Sequence, residues 1–443
     1  MPANRRTFLS ASVPAALGLL ARPAAAAPAT AAESPAATPH IGELLGALRA
    51  RFPDLRRRFV FEYYPWYGRD PWRHWDQWQR RPPFDLASNY MPRLGAYDSR
   101  ESATLERHAR WIAESGVGAV NLSWWGGGSY EDRAAHLVLD VLKDHGLKAT
   151  FHLEPYRADR GLHLAEDVLY LLRVFGERRR WDTLLLLRGP DGREGPVFKG
   201  FSMILPPRAR HCRGGLRPVA GYTADGEWRR QTDTLRGLLR RDFDRLTLLA
   251  DSLHMPRTVA SGFDGIAIYD NRVAPGAYAG IAAEASGRGL LFSLNVNPGF
   301  DGITPRTLRA SDCYAFAPPV PDPGRVLDWS RAEDREHAAA LSAARIELSL
   351  AATLAAQADP ALTNAREGFL LVYVNSFNEW HEGHAFEPMK DAGDLTLEER
   401  SQAYRNPARG DYRLAALRAL LASELSERPR ATAGRSTPSG ARP

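Results

Sequence analysis

The sequence has few cysteines, little net charge in its body and no long apolar run beyond its first residues. Its two cysteines, Cys212 and Cys313, are too few to bind a metal ion by themselves. In an exported protein they can form a disulfide, and with 100 positions between them both the bridged and the free state stay open. The cysteine count thus excludes a cysteine-only metal centre.

The formal net charge of +6 comes from the two ends of the chain. Residues 1–27 and 428–443 hold seven arginines and no acidic residue, whereas the rest has 51 basic and 52 acidic side chains. A near-neutral body gives no support for nucleic acid or an anionic surface as a partner. The arginine-rich segment 206–218 is therefore interpreted as a solvated loop.

Long apolar runs are absent as well. The apolar stretch near the N-terminus is shorter than the ~20 residues that a membrane-spanning helix needs, and no later run reaches that length. Arg5 and Arg6, followed by TFL, an apolar stretch and small residues, indicate an export signal over residues 1–27 that resembles the twin-arginine type. An apolar or disordered N-terminal segment is the alternative. We expect an exported, periplasmic or extracellular protein without a stable membrane span.

Composition divides the chain into one domain with two low-complexity ends. Residues 28–50 are an Ala/Pro-rich linker and lead-in, residues 51–427 a single folded domain, and residues 428–443 a basic tail without core-forming residues. Within the domain, β-rich and amphipathic helical runs alternate. The predicted strands are 59–64, 118–125, 148–156, 197–205, 263–270, 290–298, 311–318 and 369–377. The predicted helices include 104–115, 131–145, 229–253, 274–287, 333–358 and 411–426.

Eight mostly apolar strands separated by helices predict an α/β fold with buried parallel strands. A (β/α)₈ barrel follows, with an open doubly wound sheet as the alternative. In a barrel the functional groups collect at the C-terminal ends of the strands. Polar and aromatic residues indeed follow the apolar runs, in EYYPWYG, LSWWGGG, FHLEPY, IYDN, NVNPG and NSFNEWHEG.

The densest group of titratable residues is NSFNEWHEGHAFEP, at 375–388. It follows the last predicted strand and contains Glu379, His381, Glu382, His384 and Glu387. So many titratable groups are costly inside a fold unless water, pairing or chemistry compensates them. This stretch is therefore the first candidate for an active site.

Four motifs resemble those of glycoside hydrolase family 99, the endo-α-mannosidases and bacterial endo-α-mannanases. They are YYPWYG (63–68), FHLEPY (151–156), SGFDGI (261–266) and, as the most specific, SFNEWHEG (376–383). They occur in the family's order and cover roughly residues 59–390. The resemblance implies a (β/α)₈ barrel and a metal-independent, cofactor-free, endo-acting hydrolase of α-mannosyl-containing poly- or oligosaccharides, which we expect to be a monomer.

The resemblance also implies roles for single residues. Glu382 matches the general acid, and Glu379 matches the base that acts on the substrate's own 2-hydroxyl, giving a 1,2-anhydro sugar and net retention. Trp124 matches an aromatic residue against the sugar of the neighbouring glycone subsite. The further expected substrate-binding residues are Tyr63, Tyr64, Trp125, Glu154, Tyr269, Asn297, His381 and Glu387.

Physical chemistry supports this division of roles. Glycoside hydrolysis needs two carboxyl groups in different protonation states, and two close carboxylates raise the pKa of one of them. The EWHE spacing lets Glu379 and Glu382 face one cleft, with Trp380 as apolar surroundings and His381 as a tunable neighbour. In an α-mannoside the axial O2 lies anti to the axial leaving group, so a base near that hydroxyl makes an enzyme nucleophile unnecessary.

Three alternatives remain. A metal-dependent hydrolase could use His381 and His384, but their spacing differs from that of the common zinc motif. A glycan-binding protein without activity would not need both acids. An endo-α-glycosidase for another sugar is favoured by two departures from the family pattern: WWGGGSYED after the second strand, and His384 and Ala385 after the general acid.

Overall fold

The computed structural model describes residues 40–176, 182–308, 313, 317–321 and 326–425. The predicted export signal and the basic tail lie outside these residues. The strands of the described part are β1 Phe59–Tyr63, β2 Gly68–Arg69, β3 Trp72–Arg73, β4 Ala119–Trp124, β5 Lys148–Leu153, β6 Leu186–Arg188, β7 Glu194–Gly200, β8 Arg208–Arg210, β9 Leu216–Pro218, β10 Thr247–Ala250, β11 Gly265–Ala267, β12 Leu291–Ser293, β13 Asn295–Val296 and β14 Val372–Val374.

The main sheet is a parallel barrel. Its strand order is β12-β11-β10-β7-β5-β4-β1-β14-β13, and all these neighbours pair in parallel. Only Leu294 separates β12 from β13, so this segment pairs with β11 at its beginning and with β14 at its end. Counted as one position, β12 and β13 complete eight strands, which confirms the (β/α)₈ prediction and excludes the open sheet.

Helices surround the barrel. They are α1 Ile41–Arg51, α2 Ser102–Glu114, α3 Tyr130–Asp144, α4 Leu164–Gly176, α5 Asp225–Leu239, α6 Met255–Ala260, α7 Tyr278–Gly287, α8 Ala332–Ala358, α9 Thr363–Arg366, α10 Leu397–Arg400 and α11 Tyr412–Leu425. In α3, Ser129 caps the first turn by accepting from the backbone N–H of Asp132 at 3.0 Å. Its apolar residues, Val138 among them, recur at helical spacing and are buried against the strands.

Alternate residues of each strand face opposite sides of the barrel wall. Phe59, Phe61 and Tyr63 of β1 pack in the core between strands and helices. Val60 packs in a second apolar cluster together with residues of β4, β7, β10 and β14. Next along β1 on that inner side comes Glu62, so the barrel interior changes from apolar to charged towards its C-terminal end.

Helix α8 has 27 residues and is long and apolar enough to cross a membrane by length and composition. This differs from the expectation that no later run reaches that length. Several of its polar side chains bond to the barrel: Arg345 Nη2 donates to the Asn271 carbonyl at 2.9 Å and Gln357 Nε2 to the Phe292 carbonyl at 3.2 Å. These bonds attach α8 to the barrel.

Two predicted elements differ from the structure. The predicted helix 229–253 ends as α5 at Leu239, and its last part contains the strand β10. A buried strand of four residues has too little periodicity to be told from a helix. The predicted strand 311–318 lies mostly outside the described residues, and its described residues, 313, 317 and 318, belong to no strand.

Ordered structure also starts before residue 51. Helix α1 lies in the segment interpreted as linker and lead-in, and its Leu44, Leu45 and Leu48 are buried in the main core. The sequence also missed the helices α4 and α6.

Candidate active site

The segment 375–387 follows β14 at the C-terminal end of the barrel, and backbone hydrogen bonds fix its course. Phe377 N donates to the Glu62 carbonyl and Glu387 N to the Phe377 carbonyl, both at 2.7 Å. Two further bonds join it to the loop after β13: Asp301 N donates to the Glu382 carbonyl at 2.9 Å and Ile303 N to the His381 carbonyl at 2.7 Å. The titratable side chains of this segment therefore project from a braced backbone.

Glu379 and Glu382 have different environments. The side chain of Glu379 is 4% exposed, and its Oε1 accepts from the His381 N–H at 3.0 Å. The side chain of Glu382 is 39% exposed. Its Oε2 accepts from Tyr269 Oη at 3.3 Å and lies 2.8 Å from His384 Nε2. One acid is thus enclosed by protein and the other is open to solvent.

The enclosure of Glu379 changes its acidity. Burial, and then the charge of Glu382, raise the pKa of Glu379 well above its ordinary value. Burial also lowers the pKa of His381 to about 4, so its ring is neutral at pH 7. Glu379, the acid that the resemblance assigns as the base, therefore holds its proton more tightly than an ordinary carboxyl group does.

Two tyrosines form a hydrogen-bonded chain with Glu382. Tyr64 Oη donates to Tyr269 Oη at 2.8 Å, and Tyr269 donates in turn to Glu382. Burial raises the pKa of both phenols well above the ordinary value. Both therefore stay protonated and act as hydrogen-bond donors, as expected for cleft-lining residues.

Of the two adjacent tryptophans, Trp125 is partly exposed and Trp124 is not. Trp124 is 1% exposed, and its Nε1 donates to Asp132 Oδ1 at 2.8 Å between strand and helix. Trp125 Nε1 donates to Ser123 Oγ at 3.0 Å, and the same hydroxyl donates to Glu154 Oε1 at 2.8 Å. The structure thus places Trp125 and Glu154 on the cleft side, whereas Trp124 belongs to the core.

The charge of Glu154 acts on Glu379. Burial raises the pKa of the Glu154 carboxyl, and its charge contributes to the raised pKa of Glu379. The Glu154 carboxyl is therefore a third acid of the candidate site.

Tyr63 and Glu387 lie behind the cleft rather than in it. Tyr63 Oη lies 2.9 Å from His108 Nδ1, and His108 Nε2 lies 3.2 Å from Glu387 Oε1. Glu387 Oε2 accepts from Tyr97 Oη at 2.7 Å and from Trp380 Nε1 at 3.0 Å. All five side chains are buried. This network therefore stabilises the segment 375–387 from the protein interior and does not face solvent.

Asn297 is likewise a packing residue. Its backbone N–H donates to Ser349 Oγ at 3.1 Å, and its Oδ1 accepts from Arg345 Nε at 3.2 Å, both on α8. Its side chain is fully buried. It joins the end of β13 to the helix layer.

The sequence missed a charged layer beneath the cleft. Lys199 Nζ donates to Glu62 Oε1 at 2.6 Å and Asn121 Nδ2 to Glu62 Oε2 at 2.8 Å, with His152 Nδ1 3.1 Å from the same oxygen. Burial by itself would raise the pKa of Glu62, but the charges of Lys199 and His152 lower it to about 2. Lys199 could have been found as a charge inside an apolar strand.

The sequence also missed an aromatic stack beside His381. The rings of Trp66 and His74 stack at 4.4 Å, and the His74 ring lies 5.4 Å from the His381 ring. His381 Nε2 lies 3.1 Å from the His74 carbonyl oxygen. His381 is therefore held by the stack and by the contact with the His74 carbonyl.

Cys212 and Cys313 form a disulfide. Among the described residues, one group has the proximity of metal ligands, and it consists of these two cysteines and His211. Because both sulfurs are bonded to each other, neither is available as a thiolate ligand.

Two cavities lie outside the pair of acids. One of about 610 Å³ is at the other end of the barrel, where β10, β11 and β12 begin, and several of its arginines pair with neighbours, as Arg236 does with Asp264 at 2.7 Å. One of about 380 Å³ borders Gly383 and the loop after β13. Neither is lined by Glu379 or Glu382.

Comparison with known proteins connects this geometry to a family. The model described as Glycosyl hydrolase family 99 matches residues 65–183. Glycoprotein endo-alpha-1,2-mannosidase of Mus musculus is 25% identical over 378 residues, covering 76% of this chain and 70% of that protein. The glycoprotein endo-alpha-1,2-mannosidase-like protein of Danio rerio is 24% identical over 371 residues, covering 76% and 72%. The solved GH99 endo-alpha-mannosidase from Bacteroides thetaiotaomicron has the same fold, with a TM-score of 0.55 and 18% identity over 83% of this chain and 97% of that one.

Proposed function

Because the chain belongs to glycoside hydrolase family 99 and is an endo-acting α-glycoside hydrolase, we propose that it cleaves α-mannosyl linkages inside a glycan with retention of configuration. The supporting observation is the pair of carboxyl groups, one enclosed and one open, at the C-terminal end of the barrel. The relatives are named as endo-alpha-1,2-mannosidases or proteins like them, which supports mannose as the sugar.

In the first step, Glu379 takes the proton of the substrate's 2-hydroxyl as O2 attacks the anomeric carbon. The bond to the leaving glycosidic oxygen breaks, and Glu382 protonates that oxygen. A 1,2-anhydro sugar results. Water then opens it at the anomeric carbon, giving its proton to Glu382 while Glu379 returns a proton to O2. Two inversions give retention.

Glu379 must be ionised to act as the base. In the free protein, burial and the charge of Glu382 raise its pKa and so oppose that ionisation. A sugar hydroxyl that donates to Glu379 favours its ionised form, and a sugar that covers Glu382 favours the neutral form of that acid. Binding therefore converts the resting state into the reactive one.

Localisation and assembly are part of the proposal. The paired arginines and apolar stretch in residues 1–27 support export by the twin-arginine route, and the near-neutral body is compatible with a glycan as partner. The disulfide supports an oxidising compartment. We further propose that the enzyme acts as a monomer.

The test is proton NMR of an α-1,2-branched mannan during digestion by the mature enzyme. Initial release of α-configured oligosaccharide ends, absent with Glu382→Gln and Glu379→Gln, supports the proposal. Each substitution is expected to lower turnover about 10²- to 10⁴-fold or more, as for a lost acid or base. Products that are first β-configured would contradict retention.

A second candidate, an endo-α-glycosidase for another sugar, is favoured by the glycines after Trp125. A Cβ on Gly126 would lie 2.7 Å from the ring of Tyr156, and one on Gly127 would lie 3.1 Å from the ring of Tyr170. This loop therefore packs closely against its neighbours and shapes the cleft beside Trp125. No release from mannan, with release from another α-glycan, would identify this case.

A further inference from the structure

Ser376 and His384 connect the two catalytic acids, and the chemistry above does not use them. Ser376 Oγ accepts from the Glu379 N–H at 2.8 Å and lies 3.0 Å from His384 Nδ1. His384 Nε2 lies 2.8 Å from Glu382 Oε2. Both side chains are fully buried.

One arrangement of hydrogens satisfies the whole chain of contacts. A carboxylate oxygen accepts only, so His384 Nε2 carries the proton and donates to Glu382. Nδ1 then accepts from the Ser376 hydroxyl, whose oxygen accepts from the Glu379 N–H. Every donor has an acceptor when His384 is neutral.

We propose that His384 is a positioning residue that fixes Glu382 Oε2 and so presents Oε1 to the leaving glycosidic oxygen. The proposal rests on the proposed function, in which Glu382 is the general acid. Tyr269 donates to the same oxygen, but at 3.3 Å compared with 2.8 Å for His384. His384 therefore makes the closer contact, while Oε1 remains available for proton transfer.

Hydrogen bonds hold the backbone on both sides of His384. Arg413 Nη1 donates to the Gly383 carbonyl at 2.9 Å and to the Ala385 carbonyl at 3.0 Å, one on each side of His384. Gly383 has a φ of +67°, and a Cβ there would overlap the Asp301 carbonyl oxygen. The turn that carries Glu382 and His384 is thus held from outside.

Several charged and titratable groups from other elements face this contact. The Tyr269 ring lies edge-on to His384 at 6.2 Å. The guanidinium of Arg413 bonds the backbone on both sides of the ring, and the charge of Arg272 acts on Glu382. On the far side, Ser376 leads to the backbone of Glu379. The pH dependence of this region therefore involves Glu382, Glu379, Tyr269, Arg272, Arg413 and His384 together.

The first experiment compares His384→Leu with His384→Gln. Leucine fills the buried site without a donor, whereas the amide nitrogen of glutamine can occupy the place of Nε2 and still donate. We expect His384→Leu to lower kcat about 10- to 100-fold, the range of a lost hydrogen bond to a charged group, with KM changed less than about twofold. We expect the alkaline limb of its kcat/KM profile to move to higher pH, because the ionised acid loses a donor. His384→Gln should recover most of kcat.

The matched control is His145→Gln. His145 Nε2 lies 2.8 Å from Glu106 Oε2. This is also a contact between histidine and glutamate at 2.8 Å, but it lies outside the site. The His145→Gln substitution should leave kcat and the pH profile unchanged. Full kcat with an unchanged pH profile in folded His384→Leu would overturn the inference, as would an equal loss in His384→Gln.

A second experiment needs no turnover. In ¹⁵N-labelled protein the ring nitrogens of His384, assigned by comparison with His384→Gln, should show the Nε2–H tautomer. Their resonances should shift in Glu382→Gln, whereas Glu106→Gln should shift only those of His145. If the enzyme is active but His384 shows the Nδ1–H tautomer, or its ring-nitrogen resonances do not shift in Glu382→Gln, the inference is wrong. The predicted response in a protein that cleaves no glycan would support the contact and contradict the proposed function.

Discussion

Lys199 Nζ donates a hydrogen bond to Glu62 Oε1 at 2.6 Å inside the barrel, where neither side chain is exposed to solvent. Lys199 also lies over two aromatic rings, with Nζ 4.4 Å from the centre of Tyr373 and 5.3 Å from that of Tyr269. Because Tyr269 also donates to Glu382, it links this buried ion pair to the candidate site.

Removing one partner of this pair should strongly destabilise the protein. Lys199→Met leaves a buried carboxylate without its cation, which costs about 3–5 kcal/mol of the free energy of unfolding. The measurement is the urea midpoint of the mature protein. The double variant Lys199→Met/Glu62→Gln should recover much of the loss, because no unpaired charge remains.

The exposed pair of Lys143 and Asp182 serves as the control for that prediction. Its atoms are 3.1 Å apart, but both side chains are about half exposed. Lys143→Met should leave the urea midpoint unchanged, since solvent screens exposed pairs. An equal effect of Lys143→Met and Lys199→Met would contradict the importance of burial.

The same ion pair should give the fold a defined sensitivity to acid. Lys199 and His152 lower the pKa of Glu62 to about 2, against an ordinary value near 4.5. A lowered folded pKa stabilises the protein fully above about pH 4.5, and this contribution is lost as the pH falls from about 4.5 to 2. Urea midpoints between pH 5 and 2.5 should therefore fall more steeply in the wild type than in Lys199→Met/Glu62→Gln. Parallel curves would contradict the assignment.

Successive side chains of a strand face opposite sides of the sheet, and this alternation predicts which residues face the site better than the motifs do. Tyr63 and Trp124 share a strand face with Phe61 and Leu122, which pack against helices, whereas Glu62 and Trp125 follow the opposite parity. From the sequence alone, this alternation places Trp125 and Trp124 on opposite faces of their strand, and it does the same for Tyr64 and Tyr63. Matching motifs residue by residue does not, because a motif contains both faces of its strand.

Other features could not be read from the sequence for physical reasons. The Glu387 network joins Tyr63, Tyr97, His108 and Trp380, which come from four separate parts of the chain, and only the fold brings them together. Likewise, the NEWHE motif predicts both acids, but the burial that raises the pKa of Glu379 depends on the residues packed around it.

Glu379→Gln should abolish activity and stabilise the protein at neutral pH. A carboxyl whose folded pKa is raised binds its proton more tightly when folded, so stability falls as the pH rises above about 4.5 towards that raised pKa. Glutamine removes this dependence. Its urea midpoint should exceed that of the wild type at pH 7, and the difference should shrink towards pH 4.5.

Glu382→Gln is the control for the effect of burial on that stability. The Glu382 side chain is 39% exposed, so its substitution should change the midpoint less than Glu379→Gln does, while activity is lost in both. If the wild type is more stable at pH 7 than Glu379→Gln, then burial of the Glu379 carboxyl does not lower the free energy of unfolding at that pH, and the prediction is wrong.

The adjacent tryptophans provide the sharpest test of which face meets substrate. Trp124 is 1% exposed in the main core, so Trp124→Ala should cost about 3–5 kcal/mol of the free energy of unfolding through the cavity it leaves. Trp125 is partly exposed near Trp66, with ring centres 6.3 Å apart, and can stack on a sugar. Trp125→Ala should keep the fold and raise KM about 10-fold, the scale of one aromatic contact. The measurements are urea unfolding and steady-state kinetics of both variants. A raised KM in folded Trp124→Ala, with an unchanged KM in Trp125→Ala, would show that Trp124 and not Trp125 contacts the sugar.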